Sequence, residues 1–462
     1  MRAKTWLAII ILLVGFGLLA PCDWAQMAAQ AGDSRHWVAT WATAQQLMPA
    51  AVGGRGGPPP APSANRGNPN APAPPASPRG TTAPVPQAAA RSAQGGRSNP
   101  NRSNLPASLS DQTIRMPVRV SLGGGQVRIE ISNMASAQPL EVGAAHIASY
   151  KGGGVIVPGT DRALTFGGGA SITVPPGALA VSDPASLTVA PMSDLAVSLY
   201  LPSDTGAPTN HTVGLHTSYI SRGNVTGSET MPDPATTTAY AWLSSVDVLA
   251  PKETFAIVAL GDSITDGFST TLDTDQAWPT LLAKRLSANK ATRHVAVVNQ
   301  GISGNQVLRD GAGVSALARF DRDVLSRPGV KWVVLLEGIN DINIRGRAEG
   351  PNALTSEALI AGYRQVIERC HSYGIKIMGA TLTPDEGIPT ASERGEAIRQ
   401  AANRWIREKG HFDAVVDFDA AVRDPERPAR LRQEFDSGDH IHPNDAGNQA
   451  MADAFDLKLF KK

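Results

Sequence analysis

From Phe255 onward, apolar stretches of strand length alternate with stretches whose periodicity is that of a helix. The strand candidates are 255–260, 294–299, 330–336, 374–380 and 414–417, and the helix candidates are 276–288, 314–325, 355–372, 391–409 and 444–459. Repeated strand–helix units place successive strands parallel in one sheet, with helices on both of its faces. The pattern therefore predicts that residues 252–462 form a three-layer α/β/α domain with a parallel sheet.

The first of these strands runs into the turn Gly261-Asp262-Ser263. A serine hydroxyl can meet a substrate when it stands on a sharp turn between a strand and a helix, at the carboxyl end of a parallel strand. Ser263 is therefore a candidate nucleophile. The alternative is an ordinary surface serine in a turn, and the rest of the chain has to decide between the two.

A serine nucleophile needs a base, usually a histidine held in one tautomer by a carboxylate. Near the C-terminus, Asp439 and His442 stand three residues apart, close enough for the carboxylate to contact the imidazole. Asn444 follows as a candidate cap for the last helix. His440 is a competing base on the same segment, and we favour His442 because of the family pattern described below.

An oxyanion intermediate needs preorganised hydrogen-bond donors. Two further strand candidates end in turns that offer them. One runs into a turn containing Gly301 and Gly304, and the next runs into Gly338, Ile339 and Asn340. Glycine lets a backbone N–H approach a ligand closely, and asparagine offers a side-chain amide. Because carboxyl ends of parallel strands share one edge of the sheet, these donors are predicted to meet Ser263.

These blocks resemble those of the SGNH (GDSL-type) hydrolase family, in the family's order, over about 252–462. The resemblance implies that Ser263 is the nucleophile, that His442 is the general base and acid, and that Asp439 orients His442. It also implies an oxyanion hole made by the N–H groups of Ser263 and Gly304 and the side chain of Asn340. Gly304 rather than Gly301 matches the family's second block.

The sequence has no Gly-x-Ser-x-Gly elbow, no Walker loop, no His-Glu-x-x-His and no Cys-x-x-Cys motif. No cofactor and no metal are therefore expected. The formal net charge is +1, which gives no electrostatic reason to expect a nucleic acid partner. The expected partner is a small ester or an acetylated carbohydrate.

Residues 1–31 have the pattern of a secretory signal, in which Arg2 and Lys4 precede the apolar run 6–20 and Ala29-Gln30-Ala31 offers a cleavage site. A secreted or periplasmic protein without stable membrane insertion is expected. The alternative is a lipoprotein anchored at Cys22, which the preceding proline disfavours. After cleavage Cys370 would be the remaining cysteine, so no internal disulfide is expected.

Residues 49–105 are dominated by Pro, Ala, Gly, Ser and Asn, with arginine as the charged residue. This composition predicts a disordered insert. Residues 32–48 precede it and are predicted to contribute a strand. The short strand patterns in 106–248 predict an accessory domain resembling an antiparallel β-sandwich. Within it, 118–122 and 126–131 are predicted to pair as a hairpin.

The combination of an export signal, an accessory β domain and a hydrolase domain resembles the carbohydrate-esterase branch of the family. It implies an exported serine esterase that removes acetyl groups from carbohydrate through an acyl-enzyme. Lysophospholipase or thioesterase activity is one alternative, and a glycan-binding protein with an inactive hydrolase domain is another. Trp37, Trp41 and Trp242 are candidate stacking faces for sugars, with burial in a core as the favoured alternative.

Overall fold

The computed structural model describes residues 35–46, 104–350 and 353–461. The predicted signal 1–31 and residues 49–103 of the predicted insert lie outside this described part. The strands are β1 Arg35–Ala42, β2 Gln112–Arg119, β3 Gly124–Ser132, β4 Leu140–Val142, β5 Ala144–Gly152, β6 Val155–Ile156, β7 Arg162–Leu164, β8 Ile172–Val174, β9 Leu179–Val181, β10 Ala185–Val189, β11 Asp194–Leu201, β12 Asn210–His211, β13 Ser218–Arg222, β14 Ala235–Thr237, β15 Tyr240–Ala241, β16 Leu243–Pro251, β17 Phe255–Gly261, β18 Val295–Gly301, β19 Val330–Leu336, β20 Lys376–Ala380 and β21 Ala414–Val416.

The helices follow from the start of β17 onward. They are α1 Ser263–Asp266, α2 Trp278–Ala288, α3 Ala316–Phe320, α4 Ile339–Arg345, α5 Ser356–Ser372, α6 Glu393–Arg407, α7 Phe418–Val422 and α8 Asp445–Asp453. A π-helical turn, Asp321–Leu325, continues α3, and short 3-10 turns occupy Gln433–Phe435 and Leu457–Phe460. We call residues 35–46 and 104–251 the β part, and the described residues from 255 to 461 the α/β part.

The α/β part contains a five-stranded sheet in the order β18-β17-β19-β20-β21. Every neighbouring pair in it is parallel, so the predicted parallel sheet is confirmed. Helices between the strands cover the sheet because parallel strands need crossover connections. β17 lies between β18 and β19, and the carboxyl ends of these three strands therefore share one edge of the sheet.

The β part contains two antiparallel sheets. One has the order β1-β16-β3-β10, with β9 paired to β3, and the other has the order β14-β13-β2-β11-β5-β6, with β7 paired to β5. Apolar side chains of both sheets, such as Ile114 on β2 and Val127 on β3, belong to one buried core. Both sheets therefore depend on the same apolar interior.

The predicted hairpin between 118–122 and 126–131 is wrong. β2 pairs with β11 and β13, whereas β3 pairs with β16, β9 and β10 in the other sheet. The glycine-rich turn between them carries the chain from one sheet to the other. Alternating polarity on two neighbouring strands does not distinguish these outcomes, because strands of two sheets around one core alternate in the same way.

The strand β1 joins the two parts. It pairs antiparallel along β16. Val38 on β1 belongs to the core of the β part, whereas Ala39 and Ala42 belong to the core of the α/β part. The backbone N–H of Ala39 also donates to the carbonyl of Pro328 at 2.9 Å. Successive side chains of a strand point to opposite faces, so one short strand contributes to both cores.

The three tryptophans considered as sugar platforms have other roles. Trp242 is fully buried in the core of the β part. Trp41 packs edge-on against Tyr240, with ring centroids 4.8 Å apart. The guanidinium of Arg128 covers the ring of Trp37 at 4.4 Å. The favoured alternative of core packing is thus confirmed for Trp242, whereas Trp41 is partly buried against the same core and Trp37 is partly exposed under Arg128. Among the described residues, no helix combines the length and apolarity that a membrane crossing requires.

We predict that Val38→Ala lowers the free energy of unfolding by about 2 kcal/mol, because it removes two buried methyl groups where the two cores meet. Val181→Ala is the matched control. Val181 lies on the edge strand β9 and is 44% exposed, so its loss should stay within about 0.5 kcal/mol. Urea unfolding of the full chain measures both values, and equal losses would contradict the assigned role of β1.

Candidate active site

Ser263 lies where the sequence predicts it, at the junction of β17 and α1. β17 ends at Gly261, Asp262 caps the helix, and Ser263 is its first residue. The Asp262 carboxylate accepts a hydrogen bond from the backbone N–H of Ile264 at 3.0 Å. A first helical residue has no acceptor for its N–H within the helix. Its N–H is therefore available to a ligand at the same turn as its hydroxyl.

Asp439 and His442 lie on the loop before α8. The Oδ1 atom of Asp439 accepts the backbone N–H groups of Ile441 and His442, at 3.2 and 2.9 Å. The Asn444 side chain caps α8 by accepting the N–H of Gly447 at 3.1 Å. The loop is thus fixed by the Asp439 side chain on its N-terminal side and by the Asn444 cap of α8 on its C-terminal side.

An unbroken line of hydrogen bonds joins the three predicted residues. The Oγ of Ser263 lies 2.8 Å from Nε2 of His442. Nδ1 of His442 lies 2.6 Å from Oδ2 of Asp439. A carboxylate accepts, so Nδ1 carries a hydrogen, and the neutral ring then presents Nε2 as an acceptor for the serine hydroxyl. This arrangement allows the imidazole to take the serine proton.

The surroundings of Asp439 keep it ionised. Burial by itself would raise the pKa of this carboxyl, but its interaction with the His442 ring and the hydrogen bonds from two backbone N–H groups outweigh burial, so the pKa lies well below its ordinary value. The ring of Phe268 packs against the imidazole of His442, with centroids 4.6 Å apart. Carboxylate and phenyl ring together hold the imidazole in one orientation.

His440, the competing base, has a different partner. Its Nδ1 lies 2.6 Å from the Asp436 carboxylate, and its side chain is about half exposed. The backbone of His440 has φ of +68°, which is uncommon for a residue with a side chain. The structure thus brings His442, and not His440, to Ser263.

The two glycines of the second block differ in their surroundings. A Cβ atom on Gly301 would lie 2.3 Å from the backbone nitrogen of Asp266, so glycine is required where β18 passes α1. Gly304 has φ of +81°, in the left-handed region that favours glycine. Gly301 therefore allows close packing, and Gly304 forms the turn of the loop that follows β18.

Hydrogen bonds tie the second and third blocks together. The side-chain amide of Asn340 donates to the carbonyl of Asn305 at 2.9 Å. The Asp341 carboxylate accepts the backbone N–H groups of Val307 and Leu308, at 2.7 and 3.2 Å. Each amide nitrogen carries two hydrogens, so the Asn340 amide retains one after bonding Asn305.

Arg319 on α3 is a component that the sequence analysis missed. It is 1% exposed. Its guanidinium donates to the carbonyls of Gly261 and Gln300, at 2.8 and 2.6 Å, and to Oδ1 of Asn305 at 2.8 Å. It thus holds the ends of β17 and β18 and the loop of Gly304. The sequence signal that could have revealed a buried role for Arg319 was its position as the charged residue of the otherwise apolar segment Ala316–Phe320.

Three acids are buried near this guanidinium. Oδ2 of Asp323 lies 3.0 Å from it; burial would raise the pKa of Asp323, but the charges and hydrogen bonds of Arg322 and Arg319 outweigh burial and lower this pKa. Asp262 and Glu337 behave differently. Burial raises the pKa of Asp262 to about 7, and burial with the nearby charge of Asp262 raises the pKa of Glu337 well above its ordinary value. An oxygen of Glu337 lies 3.6 Å from the Arg319 guanidinium. Oδ2 of Asp262 and both carboxyl oxygens of Glu337 have no hydrogen-bond partner within the described residues. Burial therefore shifts the pKa values of both acids upward.

No group of three or more His, Cys, Asp or Glu side chains in 35–46, 104–350 and 353–461 is arranged to hold a metal ion.

Residues 259–450 match the family model of the GDSL-like lipase/acylhydrolase family. A search of curated proteins found no match. Among solved structures, the chain is similar to a lipolytic protein of the G-D-S-L family from Desulfitobacterium hafniense, at 21% identity over 44% of this chain and 97% of that one, with a TM-score of 0.34. It is similar to an acetyl xylan esterase, AlAXEase, at 23% identity over 43% and 97% of the two chains, with a TM-score of 0.33.

A further similarity is to a catalytic mutant of Axe2, an acetylxylan esterase from Geobacillus stearothermophilus. The identity is 24% over 45% of this chain and 94% of that one, with a TM-score of 0.35. The family match covers residues 259–450, and this part of the chain is similar to domains of the GDSL-like lipase/acylhydrolase family, whose members are hydrolases that act on ester bonds.

We predict that Asp262→Asn flattens the dependence of stability on pH. Between the unfolded pKa of about 4 and the raised folded pKa, the folded protein binds more protons at Asp262 than the unfolded chain does. Stability should therefore fall as pH rises through this window, by at most about 1.4 kcal/mol per pH unit for one group. An asparagine at this position can still cap α1, but it does not titrate, so this pH-dependent loss of stability should disappear.

Urea unfolding at several pH values between 4 and 7 measures the slope of the unfolding free energy. The exposed substitution Glu368→Gln on α5 is the control and should leave the slope unchanged. An unchanged slope for Asp262→Asn would show that Asp262 does not bind the proton in the folded protein.

Proposed function

We propose that the protein hydrolyses carboxylic esters through an acyl-enzyme, with Ser263 as nucleophile, His442 as general base and then general acid, and Asp439 as the carboxylate that orients His442. The observation that supports this most strongly is the 2.8 Å separation between Ser263 Oγ and His442 Nε2, continued by the 2.6 Å separation between His442 Nδ1 and Asp439. Both lie within hydrogen-bond range, as proton transfer requires.

In the first step, His442 takes the hydroxyl proton of Ser263 while Oγ attacks the ester carbonyl. The negative charge of the tetrahedral intermediate is stabilised by the N–H groups of Ser263 and Gly304 and by the Asn340 side chain, which we propose as the oxyanion hole. His442 then gives its proton to the leaving alcohol, and the acyl group stays on Ser263. Water, deprotonated by His442, releases the acid and restores the serine.

We propose an acetylated carbohydrate as the substrate class. A groove that includes His440, two residues before His442 in the sequence, is lined by Leu431 and otherwise by polar or charged side chains: Glu386, Asp424, Glu426, Arg427, Arg430, Gln433, Asp436 and His440. Such a groove suits a hydrated sugar chain better than a long acyl chain, which binds best to an apolar lining. This feature favours carbohydrate over the lysophospholipase and thioesterase alternatives.

The intact line of hydrogen bonds also argues against a glycan-binding protein with an inactive hydrolase domain. A decayed site would be free to lose its serine, its imidazole or the geometry between them. Here each proposed catalytic group has the partner that its proposed role requires.

An acetate-release screen across acetylated polysaccharides tests this proposal. We predict that the wild-type protein releases acetate and that Ser263→Ala lowers the rate at least about 1,000-fold, because no nucleophile remains. Acetate release by Ser263→Ala would refute the assignment of the nucleophile. Faster hydrolysis of long-chain acyl esters than of acetates would favour the lipid alternative.

Two histidine substitutions provide the matched comparison for this experiment. With a small activated acetate ester as substrate, which does not need the groove for a sugar chain, His442→Ala should reduce the rate about as severely as Ser263→Ala. His440→Ala leaves the Ser263–His442–Asp439 contacts in place and should retain most of the activity on this ester. Greater damage from His440→Ala would reverse the choice of base.

We also propose that the protein is exported, because residues 1–31 combine basic residues, an apolar run and a small-residue cleavage site. Cleavage after Ala31 should give a mature chain that begins at Gly32. Mass spectrometry of the protein recovered from the producing cells measures this end, and a retained Met1 would contradict the proposal.

A further inference from the structure

A buried histidine of the β part contacts the helix that carries Ser263. Nε2 of His211, on β12, lies 2.9 Å from Oδ1 of Asp266, the last residue of α1. Both side chains are 4% exposed. A solvent-excluded ion pair between the two parts is costly unless its geometry and its other hydrogen bonds are good. The other hydrogen bonds of His211 and Asp266 therefore determine the role of this ion pair.

Every hydrogen-bond partner of the His211 ring is an acceptor. Nδ1 lies 2.7 Å from the carbonyl of Ala44, and Nε2 also lies 3.1 Å from the carbonyl of Val213. Carbonyl and carboxylate oxygens cannot donate, so both ring nitrogens carry hydrogen and the ring is an imidazolium. Burial lowers the pKa of His211, but the charge of Asp266 and the three hydrogen bonds outweigh it and raise the pKa above its ordinary value.

The second oxygen of Asp266 holds the loop of Gly304. Oδ2 accepts the backbone N–H of Ser303 at 3.0 Å and its hydroxyl at 2.7 Å. Ser303 directly precedes Gly304. One carboxylate therefore connects a cation of the β part, through its first oxygen, to the loop of the proposed oxyanion hole, through its second.

We propose that His211 is a positioning residue for ester hydrolysis, which acts through Asp266 and Ser303 to set the place of the Gly304 N–H. This proposal rests on the proposed function. His211 orients the buried Asp266 carboxylate, and Asp266 fixes the peptide that precedes Gly304. A displaced oxyanion donor lowers kcat while leaving ground-state binding nearly unchanged, because the charge develops in the transition state. The β part is thus required for the chemistry of the α/β part.

The alternative is that His211 only fastens the two parts together. The chain offers a matched pair for comparison. Nε2 of His216 lies 2.9 Å from Oδ1 of Asp275, and this pair also joins the β part to the α/β part in a largely buried setting. Neither residue has a hydrogen bond to Ser303 or Gly304 among the contacts of the described residues. A purely structural role predicts that the two histidines behave alike.

The experiment compares His211→Gln and His216→Gln in the full chain, with a small activated acetate ester as substrate. Glutamine can still donate to one carboxylate but carries no charge and cannot bridge to Ala44 as well. We expect His211→Gln to lower kcat about 10- to 100-fold with KM changed by less than about threefold, since a displacement near 1 Å can have effects of this size. His216→Gln should leave both constants near the wild-type values. Thermal unfolding of each variant reports its structural cost.

Equal kcat for the two variants would overturn the proposal, whatever their stabilities. If His211→Gln does not fold, Ser303→Ala serves in its place, because it removes one hydroxyl contact from Asp266 and keeps the ion pair. Ser303→Ala should lower kcat about 3- to 10-fold without altering the unfolding midpoint, an estimate based on the net worth of one such hydrogen bond. A wild-type kcat in Ser303→Ala would also overturn the proposal.

The double variant His211→Gln/Ser303→Ala tests whether both residues act through the same loop. Its loss in kcat should be smaller than the product of the two single losses. A loss equal to that product would mean that His211 acts independently of Ser303, which contradicts the proposal. A wild-type protein inactive on every ester would instead refute the proposed function, so the two failures are distinguishable.

Discussion

The guanidinium of Arg319 connects the ends of β17 and β18 and the loop of Gly304, on which the proposed active site depends. Three strands and their loops must end close to one another, and buried backbone carbonyls at such ends need hydrogen-bond donors. The carbonyl of Gly261 accepts the N–H of Ile302 at 3.0 Å, and Arg319 adds a second donor to it. Arg319 satisfies the carbonyls of Gly261 and Gln300 and the side chain of Asn305 from one buried position. A planar group with five donors in fixed directions suits this task, because it constrains the relative positions of everything it binds.

The electrostatics around Arg319 separate the acids into two kinds. Asp439 lies at the partly exposed rim, where His442 and two backbone N–H groups stabilise its charge. Asp262 and Glu337 lie in the interior, where burial raises their pKa values, whereas the charges of Arg322 and Arg319 lower the pKa of Asp323 in the same interior. The partners of each carboxyl group, and not burial alone, therefore set its pKa.

The β part also contacts the α/β part close to the proposed active site. β1 contributes to both cores, and His211 contacts Asp266 at the end of the helix that begins with Ser263. Two series of hydrogen bonds therefore hold the loop of Gly304. One runs from Arg319 to Asn305, and the other runs from His211 through Asp266 to Ser303. In our proposal the loop needs both, because a glycine turn has no side chain of its own to hold it in place.

The sequence by itself determined the order of the five strands from Phe255 onward, of the helices α2, α3, α5, α6 and α8, and of the residues that follow each strand end, since periodicity and turn residues are local signals. It did not reveal the short helices α1, α4 and α7. It also indicated that Asp439 could contact His442, because they are three positions apart on one loop. Tertiary structure decided the rest. Arg319 resembles a surface residue in a helical pattern until the sheet buries it, and the apparent hairpin divides between two sheets. His211 meets Asp266 only because two separate cores pack together, and no periodicity records a contact between residues 55 positions apart.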